Sequence, residues 1–217
     1  EWGTESPIYK VRVKGEFPPQ AADSLIGLDL AEQATERWAD TQETNTLDYG
    51  LDPARFGDDD SVLTPRSGKK VLPCKAWQSL DSIQLAGAVL AYIRGQMKGR
   101  TLARKPRVFV DVIGIGAGVY DQLKRAEDIE VYAVNVSNAA TAEGYAKLRD
   151  QLWGATRDFL KEGGALPPES TSKDSSKLVA DLVSPTFTFD AQGRLKVESK
   201  DEMKKRLKRS PDRGDSL

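Results

Sequence analysis

The period of the hydrophobic positions changes several times along the chain, and the changes predict a mixed α/β order. From Leu80 to about Met97, Ile83, Leu85, Val89, Leu90 and Ile93 recur at helical spacing, which predicts a helix capped by Asp81 or Ser82. RVFVDVIGI, residues 107–115, is a run of β-branched and apolar residues and reads as a strand buried on both faces. GAGVYDQLKRA then opens a helix, and IEVYAVNV, residues 129–136, reads as another buried strand. Strand, helix, strand in that order implies a parallel pair joined by a crossover helix.

On the N-terminal side, YKVRV at 9–13 is strand-like, GEFPP turns the chain, and a polar stretch around 22–38 permits a helix. Strand-like runs follow near 47–53, 61–66 and 70–77, the last two separated by the turn RSGKK with Gly68. On the C-terminal side, a helix is expected from Lys147 to about Lys161, ending at Gly163 and Gly164, and another through KDSSKLVADLV. TFTFDAQGRLKVES alternates around a Gly-containing turn and predicts a hairpin. KDEMKKRLKRS reads as a basic helix, and SPDRGDSL as the cap and first turn of one more, so that its last residues are expected to fray.

Composition then narrows the chemistry. A chain of 217 residues with 39% hydrophobic and 30% charged residues suits one globular domain with room for a small appendage. No apolar run is long enough to cross a bilayer, and the N-terminus lacks both a secretory pattern and an initiator Met. The single Cys74 excludes an internal disulfide framework and cysteine-based zinc sites, and fits a reducing compartment. The absence of histidine removes Ser-His-Asp and Cys-His nucleophiles, histidine bases and imidazole zinc sites. Hydrolytic chemistry must then come from carboxylates with hard cations such as Mg²⁺ or Mn²⁺. A net charge of −1 leaves nucleic-acid binding to local basic patches.

RVFVDVIGIGAGVYD, residues 107–121, admits two functional readings. Gly114, Gly116 and Gly118 form G-x-G-x-G, one residue short of the dinucleotide fingerprint, with Glu130 at the start of the next strand as the acidic partner. Asp111 is the better lead, because a carboxylate inside a buried strand needs a cation or a hydrogen-bond network. Companions are Asp52 in YGLDPARFGDDDSV and Asp215 in SPDRGDSL, with Asp212 three residues before it on the same helix face. Asp59 and Asp60 read as a solvated turn. Acidic positions on a hairpin strand, a parallel strand and a late helix match an RNase H-like metal site.

These residues resemble a family, the nuclease domain of the large terminase subunit of tailed bacteriophages. The resemblance runs through YKVRVKGEFP, YGLDPARFGDDDSV, RVFVDVIGIGAGVYDQL, RDFLKEGGALP, TFTFDAQGRLKVESK and DEMKKRLKRSPDRGDSL, and so covers most of the chain. It implies an α/β, RNase H-like fold with a central mixed sheet flanked by helices and an additional β-hairpin. Residues 1–20 would be the entry segment after a missing ATPase domain, and 21–217 the nuclease domain with a truncated C-terminal helix.

The resemblance further implies a Mg/Mn-dependent endonuclease that cuts double-stranded viral DNA at the start and end of genome packaging, by two-metal-ion hydrolysis. Asp52, Asp111 and Asp215 would be the catalytic and metal-binding triad, Asp58 an auxiliary ligand, and Asp212 the alternative to Asp215. DNA contacts are expected from Lys69 and Lys70 at the hairpin tip and from Lys204, Lys205, Arg206, Lys208, Arg209 and Arg213. In the full-length protein an ATPase domain, the portal and the small terminase subunit would be partners, without a membrane, in the cytoplasm of the infected bacterium. No G-x-x-x-x-G-K-[ST] loop occurs here, so translocation would reside elsewhere. Competing readings are a DNA-clamping or portal-docking module with weak nuclease activity, and another RNase H-like enzyme of the resolvase or transposase type.

Overall fold

The computed structural model describes residues 24–54, 59–175 and 177–217. YKVRV, the entry segment and Asp58 lie outside the described residues. The elements in chain order are α1 (Leu28–Glu36), β1 (Asp48–Asp52), β2 (Ser61–Ser67), β3 (Lys70–Val71), β4 (Lys75–Trp77), α2 (Ser82–Met97), β5 (Arg107–Asp111), α3 (Gly116–Leu123) and β6 (Glu130–Val134). They continue with α4 (Leu148–Lys161), a 3-10 turn at Glu169–Thr171, α5 (Leu178–Val183), β7 (Phe187–Phe189), β8 (Leu195–Val197), α6 (Lys200–Leu207) and α7 (Asp212–Asp215).

The strands form a mixed sheet in the order β3-β2-β1-β5-β6, with β4 also pairing β2, and β7-β8 stand apart as a separate hairpin. β1 and β2 are antiparallel, whereas β1, β5 and β6 run parallel, with α3 crossing over between β5 and β6. This is the α/β arrangement that the periodicity predicts. Asp81 is the cap of α2: its carboxylate accepts from Ile83 N and Gln84 N. The expected strand over 70–77 is broken at Leu72–Cys74 into β3 and β4, because Pro73 cannot donate to a ladder.

Two cores sit on opposite faces of the sheet. Tyr49, Leu51, Leu63, Val108 and Val110 pack under Leu85, Val89 and Ile93 of α2 and Val119 and Leu123 of α3. On the other face Val62, Val71 and Cys74 meet α1, α5, Trp153 and Leu160 of α4, and Leu195 and Val197 of the hairpin. Among the described residues this second cover does not extend over β5 and β6. Only Val108 and Val110 of β5 are buried, and β6 is largely exposed, so the expectation of two doubly buried strands is corrected. The apolar run is real, but among the described residues no helix lies over one face of it.

Strand pairing arranges the second face in rows, since alternate residues share a face. Arg66, Asp48, Arg107 and Glu130 form the first row, and Thr64, Gly50, Phe109 and Tyr132 the second. Val62, Asp52, Asp111 and Val134 form the third, where Asp52 and Asp111 follow as the pair after Leu51 and Val110. The first and third rows are four residues apart, or about 13 Å at the usual strand rise.

Candidate metal centre

Asp52 ends β1 and Asp111 ends the adjacent parallel strand β5, so their carboxylates emerge side by side at the C-terminal edge of the sheet. The turn after Asp111 is tight. Gly114 takes a positive φ of 63°, and a Cβ on Gly116 would lie 1.8 Å from the Asp111 carbonyl oxygen. The glycines therefore turn the chain and let α3 begin against β5, as the aspartate reading of this motif requires. Asp111 itself accepts from Ile113 N at 3.1 Å.

α7 brings Asp212 and Asp215 onto the same edge. The four-residue helix is held in place rather than frayed. Ser216 Oγ lies 2.6 Å from Thr64 Oγ1 and 2.9 Å from the Arg213 carbonyl, and Asp215 Oδ1 accepts from Trp153 Nε1 at 3.3 Å with Arg149 at 3.5 Å. Gly50 is needed here: a Cβ at this position would meet Ser216 O at 2.0 Å. Asp212 Oδ2 accepts from Asp60 N at 3.0 Å.

At the centre of these carboxylates stands Lys200, the first residue of α6. Its ammonium lies 3.0 Å from Asp52 Oδ2, 3.3 Å from Asp212 Oδ1 and 3.4 Å from Asp215 Oδ2. The capping box of Ser199 and Glu202 sets the helix start, which makes Lys200 its first residue. A cation at a helix N-terminus opposes the dipole, so the carboxylates outside the helix hold it there. Burial works against this ammonium, yet Asp52, Asp215 and Asp212 outweigh burial and hold its pKa above the ordinary lysine value. Burial pushes Asp52 up to about 7, against Lys200 and with the repulsion of Asp215 and Asp212. Asp111 is raised as well, first by burial.

The charge balance suits a further cation. Four carboxylates face Lys200 and the nearby Arg149, and the buried oxygens Asp212 Oδ1 and Asp215 Oδ2 accept no hydrogen bond. Among the described residues, however, no three carboxylates are already gathered as ion ligands. Lys200 stands between them, and a divalent ion would require its withdrawal.

The basic residues singled out in the sequence divide. Lys205 and Lys208 are exposed on α6 and at its end, and Lys69 is exposed at the β2–β3 turn, where it donates to the Glu162 carbonyl. Lys70 lies over the Trp38 ring at 4.2 Å, and Lys204 pairs with Asp59 at 2.8 Å. Arg206 pairs with Glu198 and donates to the Ser184 carbonyl. Arg209 and Arg213 are a correction to the surface-patch expectation. Arg209 pairs with buried Asp181, and Arg213, its side chain 8% exposed, pairs with Asp60 at 2.8 Å. Asp59 and Asp60 are likewise ion-paired rather than a freely solvated turn.

Sequence reasoning missed Lys200, Arg149 and Trp153. The Ser199-x-x-Glu202 box was a legible signal for where α6 starts, but nothing local aims its first side chain at β1.

Comparisons with known proteins bear on the fold and on the sequence as a whole. No family model matches the chain. A probable terminase large subunit of Enterobacteria phage P7 is 26% identical over 230 residues, covering 99% of this chain. The chain spans 44% of that relative's length. The nuclease domain of the large terminase subunit gp2 of bacterial virus Sf6 superposes with a TM-score of 0.69 at 20% identity, over 89% of this chain and 96% of that one. A manganese-containing structure of a variant of the same domain gives 0.72 over the same shares, also at 20% identity. The large terminase nuclease of thermophilic phage G20c with bound magnesium gives 0.55 at 13% identity, over 82% of this chain and 89% of that one. In fold this chain is similar to the nuclease domains of terminase large subunits, and in sequence it is similar to a probable terminase large subunit along nearly its whole length.

Proposed function

We propose that the chain is a divalent-metal-dependent endonuclease domain that hydrolyses phosphodiester bonds of double-stranded viral DNA during genome packaging. The observation that carries this reading is the buried cluster of Asp52, Asp212 and Asp215 around one cation, Lys200, with Asp111 on the adjacent strand. Such a cluster is a cation site by charge and burial. Support comes from relatives whose structures are described with manganese, magnesium and cobalt.

Asp52, Asp111 and Asp215 are the proposed ligands, with Asp58 as an auxiliary one and Asp212 as the alternative third member. Mg²⁺ or Mn²⁺, when bound, would supply charge neutralisation at the phosphate and activation of water, as two-ion sites do. The chain's own residues prepare the place. β1 and β5 fix Asp52 and Asp111 on adjoining strand ends, while Trp153 and Arg149 orient Asp215. Lys200, once displaced, has a flexible stem that lets its ammonium turn to a phosphate oxygen.

Exposed Lys205 and Lys208, and Lys69, which is exposed while donating to the Glu162 carbonyl, are the remaining candidates for phosphate contacts, with Lys70 and Lys204 beside them. The ATPase domain, portal and small subunit are proposed partners, in the host cytoplasm. Among the described residues no helix is long and apolar enough to cross a membrane. Nicking and linearisation of plasmid in Mn²⁺ tests the reading. Loss of cutting in Asp111→Ala with an unchanged melting curve supports it, and cutting that survives this substitution overturns the ligand assignment.

A further inference from the structure

Between α4 and the uncovered part of the sheet runs a cleft of about 710 Å³ that opens at one end on Asp52, Asp111 and Asp215. Its floor is the second face of β1 and β5, with Gly50 and Phe109 in the middle and Asp48 and Arg66 at the far end. α4 forms a wall along its length. Arg149 of α4 stands by Asp215 at the carboxylate end, and Phe159 packs on the Arg66 guanidinium at 5.2 Å at the other.

Three features mark this cleft as a place where something binds. Five large hydrophobic side chains are exposed among the described residues, and three of them gather here. Ile113 and Leu152 line the cleft, and Tyr132 stacks on Phe109 at 5.1 Å with the rings 17° from parallel. The sequence of β5 and β6 has the apolar pattern of strands covered on both faces, yet among the described residues nothing covers this face. The far end also carries an excess of positive charge. Arg104 and Arg107 contact the Asp48 carboxylate at 2.6 and 2.8 Å, Arg66 approaches it at 3.9 Å, and the nearby Glu130 accepts from Tyr132. Among the described residues, three guanidiniums against two carboxylates leave one positive charge in excess.

We infer that this cleft docks a single strand of DNA that continues from the carboxylate end, with bases on the Phe109–Tyr132 shelf and a phosphate at the arginines around Asp48. The occupant follows from the order of the surfaces. A cation-seeking carboxylate edge, an aromatic shelf and a guanidinium cluster about 13 Å away along the strands match the alternation of phosphate and base in an extended strand. An apolar protein segment would satisfy the shelf but would leave the arginine excess without a counter-charge, whereas a polynucleotide carries base and anionic phosphate in alternation. The inference rests on the nuclease reading for its polynucleotide and adds that the strand must separate from its partner beside the cut.

The test compares a blunt duplex with the same duplex carrying a short single-stranded tail labelled with 2-aminopurine, both in Ca²⁺. Wild-type protein is expected to bind the tailed duplex about tenfold more tightly and to alter the 2-aminopurine fluorescence. Tyr132→Ala and Leu152→Glu, both at exposed positions, should remove that preference while still binding the blunt duplex. Arg66→Gln should weaken it with a shallower salt dependence. Equal binding of the two DNAs, or a preference that survives Tyr132→Ala and Leu152→Glu, overturns the inference. Plasmid cleavage in Mn²⁺ is measured alongside. Cleavage without a tail preference defeats only the strand-docking inference, whereas absence of cleavage by wild type defeats the nuclease reading. Failure to bind either DNA defeats both.

Discussion

The Lys200 ammonium lies 3.0 Å from the Asp52 carboxylate, a contact that joins the first residue of α6 to the last residue of β1. It brings together residues 148 positions apart, and it places one ammonium among the carboxylates of the site. The Lys200 side chain as a whole is 38% exposed while its ammonium is enclosed by carboxylates, so it is both held and able to leave.

Replacing that lysine should change metal affinity in a definite direction. Lys200→Ala is expected to bind Mn²⁺ about tenfold more tightly or better, equivalent to about 1.4 kcal/mol, because the ion no longer competes with an ammonium. The metal-free variant should lose about 1–2 kcal/mol of stability, a loss moderated by the partial exposure of the side chain. Calorimetric titration with Mn²⁺ and urea melts measure the two effects separately. Unchanged affinity would show that Lys200 does not occupy the ion's place.

The raised pKa of Asp52 makes metal-free stability depend on pH. A carboxyl whose pKa rises on folding contributes stability below its unfolded value, near 4, and loses it as pH rises through its folded value of about 7. Asp181, pushed up to about 6 by burial, acts in the same direction. Between pH 4 and 7, then, Asp52→Asn should flatten the decline seen in wild type, with the variant gaining on wild type toward pH 8. Saturating Mn²⁺ should remove most of the wild-type decline. Thermal melts across this range, with and without Mn²⁺, are the measurement.

Asp212 and Asp215 can be told apart by what each loses. Asp212→Ala leaves Asp60 N without its acceptor and should cost about 1–3 kcal/mol of stability. Asp215→Asn keeps the volume and the contact to Trp153, so its main effect should fall on metal-dependent cutting. That loss is expected to exceed the roughly 100-fold typical of outer-shell partners. Paired melts and plasmid assays check the assignment, and equal cutting by Asp215→Asn and wild type would move the third ligand to Asp212.

Gly50 couples the sheet to the residues that follow Asp215. Gly50→Ala places a methyl group where Ser216 O now sits, 2.0 Å from the new carbon, so the C-terminal segment must shift. A cost of about 1–3 kcal/mol is expected, together with weaker Mn²⁺ binding. Retention of full stability and full metal affinity would show that this segment moves freely.

The basic residues should separate into two groups. Lys205→Ala and Lys208→Ala are expected to leave the melting temperature unchanged and to lower the salt dependence of DNA binding by about 1 each. Arg213→Ala removes the partner of Asp60 inside the protein and should destabilise by about 3–5 kcal/mol. Salt titrations of DNA binding and denaturant melts distinguish the outcomes.

What the sequence by itself determined was local or compositional. The helical spacing through α2 with its Asp81 cap, the strand–helix–strand order of β5, α3 and β6, the hairpins at Gly68 and Gly193, and the exclusion of histidine and cysteine chemistry all follow from periods, caps and inventory. Asp111 stands out in the sequence because a carboxylate inside a buried strand needs a cation or a hydrogen-bond network, and Asp52, Asp212 and Asp215 are read as its companions. Tertiary structure alone decided which charges meet. Lys200 and Arg213 sit in one basic stretch of sequence, yet one reaches a carboxylate cluster and the other an interior ion pair. It also decided that, among the described residues, β5 and β6 are covered on one face only. A hydrophobic run records that a surface avoids water, but it carries no record of whether a helix of the same chain or a ligand covers that surface.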